Sequence, residues 1–192
     1  FHSSMKTKVK LFKQYLIKFL ADLAQRADID SGDVRIALVA YGKTAEIIFD
    51  FNAYHSSKEL VKAIRKTTKN YRYLVASTFT ALHKIQSELF KEERGDRPNI
   101  PNVIFLITDS KSNSLETVEK LALQANRSTI TKLFAIGIGR DTFGEIALIA
   151  SEPVIENTYL LNSYSDLLSS STDIASKIAK QIRAFSKCFG IL

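Results

Sequence analysis

Three apolar runs constrain what this chain can fold into. Val34–Tyr41 (VRIALVAY), Val103–Thr108 (VIFLIT) and Leu133–Ile138 (LFAIGI) are almost continuously hydrophobic. A strand with one wet face alternates apolar and polar side chains, so such runs predict strands covered on both faces, as in a parallel sheet. The segments between them carry apolar residues at helical spacing. In Lys8–Ala27 these are Phe12, Leu16, Phe19, Leu20 and Leu23, with lysines interleaved. Further helices are expected from Ser57, over Thr78–Phe90, from Ser114 to about Asn126, from about Asp141 to Ala150, and from about Tyr164 to Phe185. Thr44–Phe51 (TAEIIFDF) partly alternates and follows Gly42-Lys43, so it should pair antiparallel with the strand before it as a hairpin. Thr158–Leu161 reads as a short edge strand. The alternation of strands with helices predicts one doubly wound α/β domain over residues 1–192, with parallel core strands at 34–41, 103–108 and 133–138.

Composition narrows the function classes. Hydrophobic residues make up 45% of 192 and charged residues 24%, which supplies a sizeable core. No apolar run approaches the roughly 20 residues that span a bilayer, so membrane insertion is not expected. Phe1-His2-Ser3-Ser4 also lacks the apolar stretch of a signal peptide. The net charge is +7. Lys8, Lys10 and Lys13, with Arg65, Lys66, Lys69 and Arg72, form a candidate basic face for an acidic partner such as a sulfated glycan. The plainer reading is a solvated helix surface. No aromatic-interleaved basic motif accompanies the charge, which argues against nucleic acid. The single Cys188 can be a free thiol or pair outside this sequence, but closes no disulfide within it.

In doubly wound sheets ligands sit at the carboxyl ends of the strands, which singles out Asp109 after the second run and Asp141 after the third. Either could instead cap the helix that follows. Gly137-Ile138-Gly139 begins like a dinucleotide fingerprint, but the third glycine is absent because position 142 is Thr. No P-loop, nucleophile elbow or Ser/His/Asp arrangement appears, so a nucleotide-using enzyme is the less supported class. His55 and His83 read as ordinary loop and helix residues.

Leu133–Pro153 (LFAIGIGRDTFGEIALIASEP) closely resembles the signature of the von Willebrand factor A family: apolar strand, Gly-Ile-Gly, spacer, Glu-Ile helix, Ala-Ser-x-Pro. Gly32–Tyr41 is similar to that family's second strand with its turn, and Val103–Asp109 to its fourth. These matches run in order over about residues 2–185. The resemblance implies a Rossmann-like, mostly parallel six-stranded sheet with one antiparallel edge strand. It also implies a non-enzymatic adhesion module of the extracellular matrix within a larger multidomain protein, with collagen or another matrix protein as ligand class. An intracellular scaffold of the same family is the alternative. Asn126-Arg127-Ser128, an N-glycosylation acceptor, favours secretion.

The family's metal site takes an Asp-x-Ser-x-Ser motif, a Thr and a distal Asp, hard oxygen ligands suited to Mg²⁺ or Mn²⁺. By resemblance, Ser4, Thr78 and Asp109 match three of these positions. His2 stands where the first Asp belongs, and Lys6 where the last Ser belongs. The first change removes a carboxylate, and the second places an ammonium, which has no lone pair, beside a dication. A degenerate site with at most weak Mg²⁺ or Mn²⁺ binding is expected, and Lys6 or water is expected near Asp109. The family's central first strand has only Phe1 as its counterpart here. Residues 188–192, with Phe189-Gly190-Ile191-Leu192, are either a tail or a segment that fills that gap.

Overall fold

The structure, a computed structural model, describes residues 2–67, 77–112, 118, 120, 131–170, 172–178 and 180, with side chains from Gln14 onward. Helix α1 runs from His2 to Arg26, starting six residues before the expected boundary. A hairpin follows: β1 (Leu38–Tyr41) and β2 (Ala45–Phe49) pair antiparallel. Helix α2 (Ser57–Lys66) is capped by Ser56, whose side chain accepts from the Glu59 amide. Helix α3 (Thr78–Lys84) then passes into a π-helical turn at Ile85–Leu89, so the helix expected to reach Phe90 widens in its second half. Strands β3 (Asn102–Thr108), β4 (Thr131–Ile138) and β5 (Thr158–Leu161) form one parallel sheet in the order β3-β4-β5. Helix α4 (Phe143–Ile149) connects β4 to β5, and α5 (Tyr164–Ser169) follows β5, with residues 172–178 helical beyond it.

Two expectations are met in part. Among the described residues the run at 34–41 is a strand over Leu38–Tyr41 only, and it lies in a two-stranded antiparallel pair, apart from the three-stranded parallel sheet. The reason lies in its edges. β1 has a ladder partner on one side only among the described residues, and all four of its residues are half-buried. Correspondingly, the described residues form five strands in two sheets, not one sheet of six. The segment of residues 188–192, expected either as a tail or as the filler of the first-strand gap, lies outside the described residues, as does most of the helix expected from Ser114.

The parallel sheet is covered on both faces, as its apolar runs require. Alternate residues of β4 point to opposite sides. Leu133 and Ala135 join Leu82, Ile104, Leu106, Ile146 and Ile149, a layer built from α3 and α4. Ile136 and Ile138 join Phe19, Leu161, Leu167, Ile174 and Ile178, a layer built from α1, α5 and residues 172–178. A third cluster lies between α1, α2 and the hairpin, around Ala21, Ala24, Phe49, Leu60, Val61 and Ile64. Burying this apolar surface is the main drive to fold.

Two features of the signature explain themselves at this stage. The Ser151 hydroxyl accepts from the Leu133 amide at 2.9 Å while the Ser151 amide donates to the Leu133 carbonyl at 3.0 Å. The Ser of Ala-Ser-x-Pro thus clasps the end of α4 to the start of β4. Gly137 allows α4 to approach the strand, because a Cβ there would collide with the Thr142 hydroxyl and lie 3.0 Å from Ile146 Cδ1. Gly137→Ala should therefore destabilise the domain by about 2 kcal/mol through overpacking, read as a lower urea midpoint. A midpoint unchanged from wild type would mean that α4 is free to retreat from the sheet.

Candidate functional site

The carboxyl ends of β3 and β4 bring together residues from five elements. At the tip of β3 the Thr108 hydroxyl donates to the Ser110 carbonyl at 2.7 Å, and the Ser110 amide donates back to that hydroxyl at 3.3 Å. This turn sets Asp109 outward, exposed at the strand tip, while Ser112 falls into the interior. Thr78, the first residue of α3 after its Ser77 cap, is fully buried beside it.

The centre of the arrangement is Glu145, in the first turn of α4 and 0% exposed. One carboxyl oxygen accepts the Ser112 amide at 2.5 Å. The other accepts the Ser112 hydroxyl at 2.9 Å and also the Thr78 hydroxyl in a very short bond. The Ser112 hydroxyl in turn accepts the Thr78 amide at 3.0 Å. A buried carboxyl is tolerated only where its oxygens are hydrogen-bonded, and here three neutral donors serve that purpose. Glu145 so fastens the loop after β3 to the start of α3 and to α4.

Two tyrosines flank the tip. The Tyr41 hydroxyl donates to the Ile107 carbonyl at 3.0 Å, joining β1 to β3. Burial raises its pKa, and the Glu145 and Asp109 carboxyls act in the same direction, so it remains a donor. From the start of α5 the Tyr164 hydroxyl donates to Asp109 Oδ2 at 2.5 Å. Burial and the Asp109 carboxyl raise the Tyr164 pKa as well.

The structure brings Thr78 and Asp109 of the expected set to the same region. His2, Ser4 and Lys6 lie on backbone that is already helical, within α1, rather than on a loop ahead of it, and their side chains lie outside the description. The same holds for Lys8, Lys10 and Lys13. Arg65 and Lys66 are exposed in the last turn of α2, where they also favour the helix dipole. Lys69, Arg72 and Asn126 lie outside the described residues. Glu145, Ser112, Tyr41 and Tyr164 were not singled out from sequence. A usable signal existed for one of them. Glu145 sits four residues before the buried Ile149 and three after the buried Thr142, hence on the inward face of its helix.

Comparison with known proteins places this geometry. A sequence profile of the von Willebrand factor type A domain matches residues 2–173. The chain belongs to this family. Matrilin-3 of Gallus gallus is 28% identical over 151 residues, covering 76% of this chain and 32% of matrilin-3. The collagen alpha-6(VI) chain of Homo sapiens is 27% identical over 170 residues, covering 88% of this chain and 7% of that one. The chain therefore spans about a third or less of these relatives. The fold also matches the structure of proximal thread matrix protein 1 from the mussel byssus, with a TM-score of 0.81 at 20% identity, over 92% of this chain and 45% of that chain. That protein is also known with a zinc occupied MIDAS motif.

At the strand tip of this von Willebrand factor A domain, Thr78 and Asp109 are both engaged by the protein's own groups. Thr78 is fully buried with its hydroxyl turned to Glu145, and one oxygen of Asp109 is held by Tyr164. If Glu145 fastens this region, Glu145→Ala should cost about 3 kcal/mol or more by leaving three buried donors without an acceptor. Glu145→Gln should cost less, since one acceptor oxygen remains. Equilibrium urea unfolding measures both, and a loss under about 0.5 kcal/mol for the alanine variant would be that of an ordinary surface change.

Proposed function

We propose that this chain is a non-enzymatic adhesion module of a secreted, multidomain matrix protein, binding another matrix protein, with collagen as the leading ligand class. The observation that carries the reading is family membership over residues 2–173, with a matrilin and a collagen VI chain among the relatives. Binding proceeds without a divalent ion at the family's usual site. Supporting this are the inward bond of Thr78 to Glu145 and the outward bond of Tyr164 to Asp109, alongside His2 and Lys6 at two ligand positions of the resemblance.

Recognition then falls to the loops and to the basic face, where a sulfated glycan is the companion ligand. Lys18, Lys62, Arg65 and Lys66 are exposed along α1 and α2, which pack against one another. Exposed charges act over about 8 Å at physiological ionic strength, so their contribution is sensitive to salt. Binding to immobilised collagens and heparin-like glycans should survive chelator. Arg65→Ala with Lys66→Ala should weaken the glycan interaction and flatten its salt dependence. Surface plasmon resonance with and without EDTA reads both, and binding abolished by EDTA would reject the metal-independent reading.

The complete sheet in this proposal has six strands, the sixth between β1 and β3, with residues 188–192 as the candidate. The support is the state of the two edges. Phe105 and Ile107 of β3 are only half-buried beside the buried Leu133–Ile138 of β4, and Tyr41 reaches from β1 to the Ile107 carbonyl. Removing residues 188–192 should lower Tm by several degrees if they fill this position. An unchanged Tm would assign the position to another segment.

A further inference from the structure

Asp109 is the one exposed carboxylate that the fold delivers to the tip of β3, and its environment is set by a residue from a different element. Tyr164 opens α5 immediately after Ser163, whose side chain accepts the amide three residues on while Asp166 bonds back to the Ser163 amide. That capping box fixes where the helix begins. The Tyr164 ring packs against the cluster of Phe19, Ile136 and Leu167, so its position is set by the core and not by a mobile surface side chain. Its hydroxyl therefore arrives at Asp109 Oδ2 on a rigid arm, at 2.5 Å. A hydrogen bond to a charged acceptor is among the stronger ones a protein makes, and a cation that is to take the same Oδ2 lone pair has to displace it.

The other oxygen donor of the site is withdrawn in the same sense, because the Thr78 hydroxyl gives its proton to Glu145 in the interior. The strand tip is thus satisfied by the protein's own hydroxyls. A phenol supplies one proton to a carboxylate without bringing a positive charge, whereas a divalent ion demands several oxygens in near-octahedral geometry. The two modes of satisfying Asp109 compete for the Oδ2 lone pair that the Tyr164 hydroxyl occupies.

We propose that the Tyr164 hydroxyl is an internal competitor for Asp109, a specificity-determining group that keeps divalent cations off the strand tip. The proposal rests on the metal-independent reading above and adds Tyr164 to His2 and Lys6 as a residue that contributes to it. Phenylalanine keeps the ring in the core and removes only the hydroxyl, so the substitution isolates the effect. Mn²⁺ alone serves as the probe, titrated calorimetrically into the wild type, Tyr164→Phe, Tyr164→Leu and Tyr164→Phe with Asp109→Ala. Tyr159→Phe, on β5, controls for loss of a tyrosine hydroxyl elsewhere. Thermal melts establish that each variant is folded. The expected result is Mn²⁺ affinity about tenfold higher in both Tyr164 variants, no gain in Tyr159→Phe, and the gain lost when Asp109 is also replaced. Wild-type binding already tight and dependent on Asp109 would reject the metal-independent reading. Tyr164→Phe and Tyr164→Leu binding Mn²⁺ no better than wild type would overturn the competitor role of Tyr164 and leave that reading in place.

Discussion

Every residue of β4 from Leu133 to Ile138 is buried, so this strand needs a helix layer on each side and a paired strand at each edge. Those demands account for most of the architecture. Its odd residues face α3 and α4, its even residues face α1 and the C-terminal helices, and β3 and β5 satisfy its backbone. Because the backbone groups of a buried strand must all be paired, neither neighbour can be lost without exposing or orphaning them. The close approach at Gly137 and the clasp between Ser151 and Leu133 are the local means by which α4 is held to this strand.

The same packing explains why a carboxyl group lies in the interior. α4 presents Glu145 on the face that carries Ile149, at the level where the strands end and loop backbone begins. Strand ends leave amides and hydroxyls without ladder partners, and Glu145 collects three of them at once. An apolar residue at this position would fit the layer but leave the loop after β3 and the start of α3 without a common acceptor. The polar centre is therefore a consequence of where the layer stops.

The apolar runs and helical spacings made the element order legible, and the edge strand at Thr158–Leu161 is found with the expected bounds. The signature residues at 133–153 identified the family. What sequence did not convey was pairing across the chain. The Val34–Tyr41 run is apolar enough for a central strand, but ladder bonds depend on what lies alongside, and only Leu38–Tyr41 has a partner among the described residues. The site was legible in part for a similar reason. Asp109 and Thr78 stand at recognisable strand-tip and helix-start positions, whereas Glu145 enters from 67 residues beyond Thr78 and Tyr164 from 55 beyond Asp109. Glutamate in a first helical turn looks like a favourable dipole contact, and tyrosine after a serine cap looks like core. Only the folded geometry turns both toward the same loop.

Tyr41 has a consequence for how the domain opens. The hairpin and α2 share an apolar cluster with α1, and among the described residues no ladder joins β1 to the parallel sheet. Beyond that packing, the polar links across include Tyr41 to Ile107, the Ser77 amide to the Gly42 carbonyl, Arg35 to the Gly95 carbonyl, Arg94 to Asp50 and Arg97 to the Gly32 and Asp33 carbonyls. A unit joined to the rest by packing on α1 and by side-chain bonds, with no ladder, can open ahead of a strand paired on both edges, which is the structural meaning of a lower-stability foldon. In hydrogen exchange, amides of the hairpin and of α2 would then leave protection together, ahead of those of β4, with the Tyr41 hydroxyl as one of the first contacts to part.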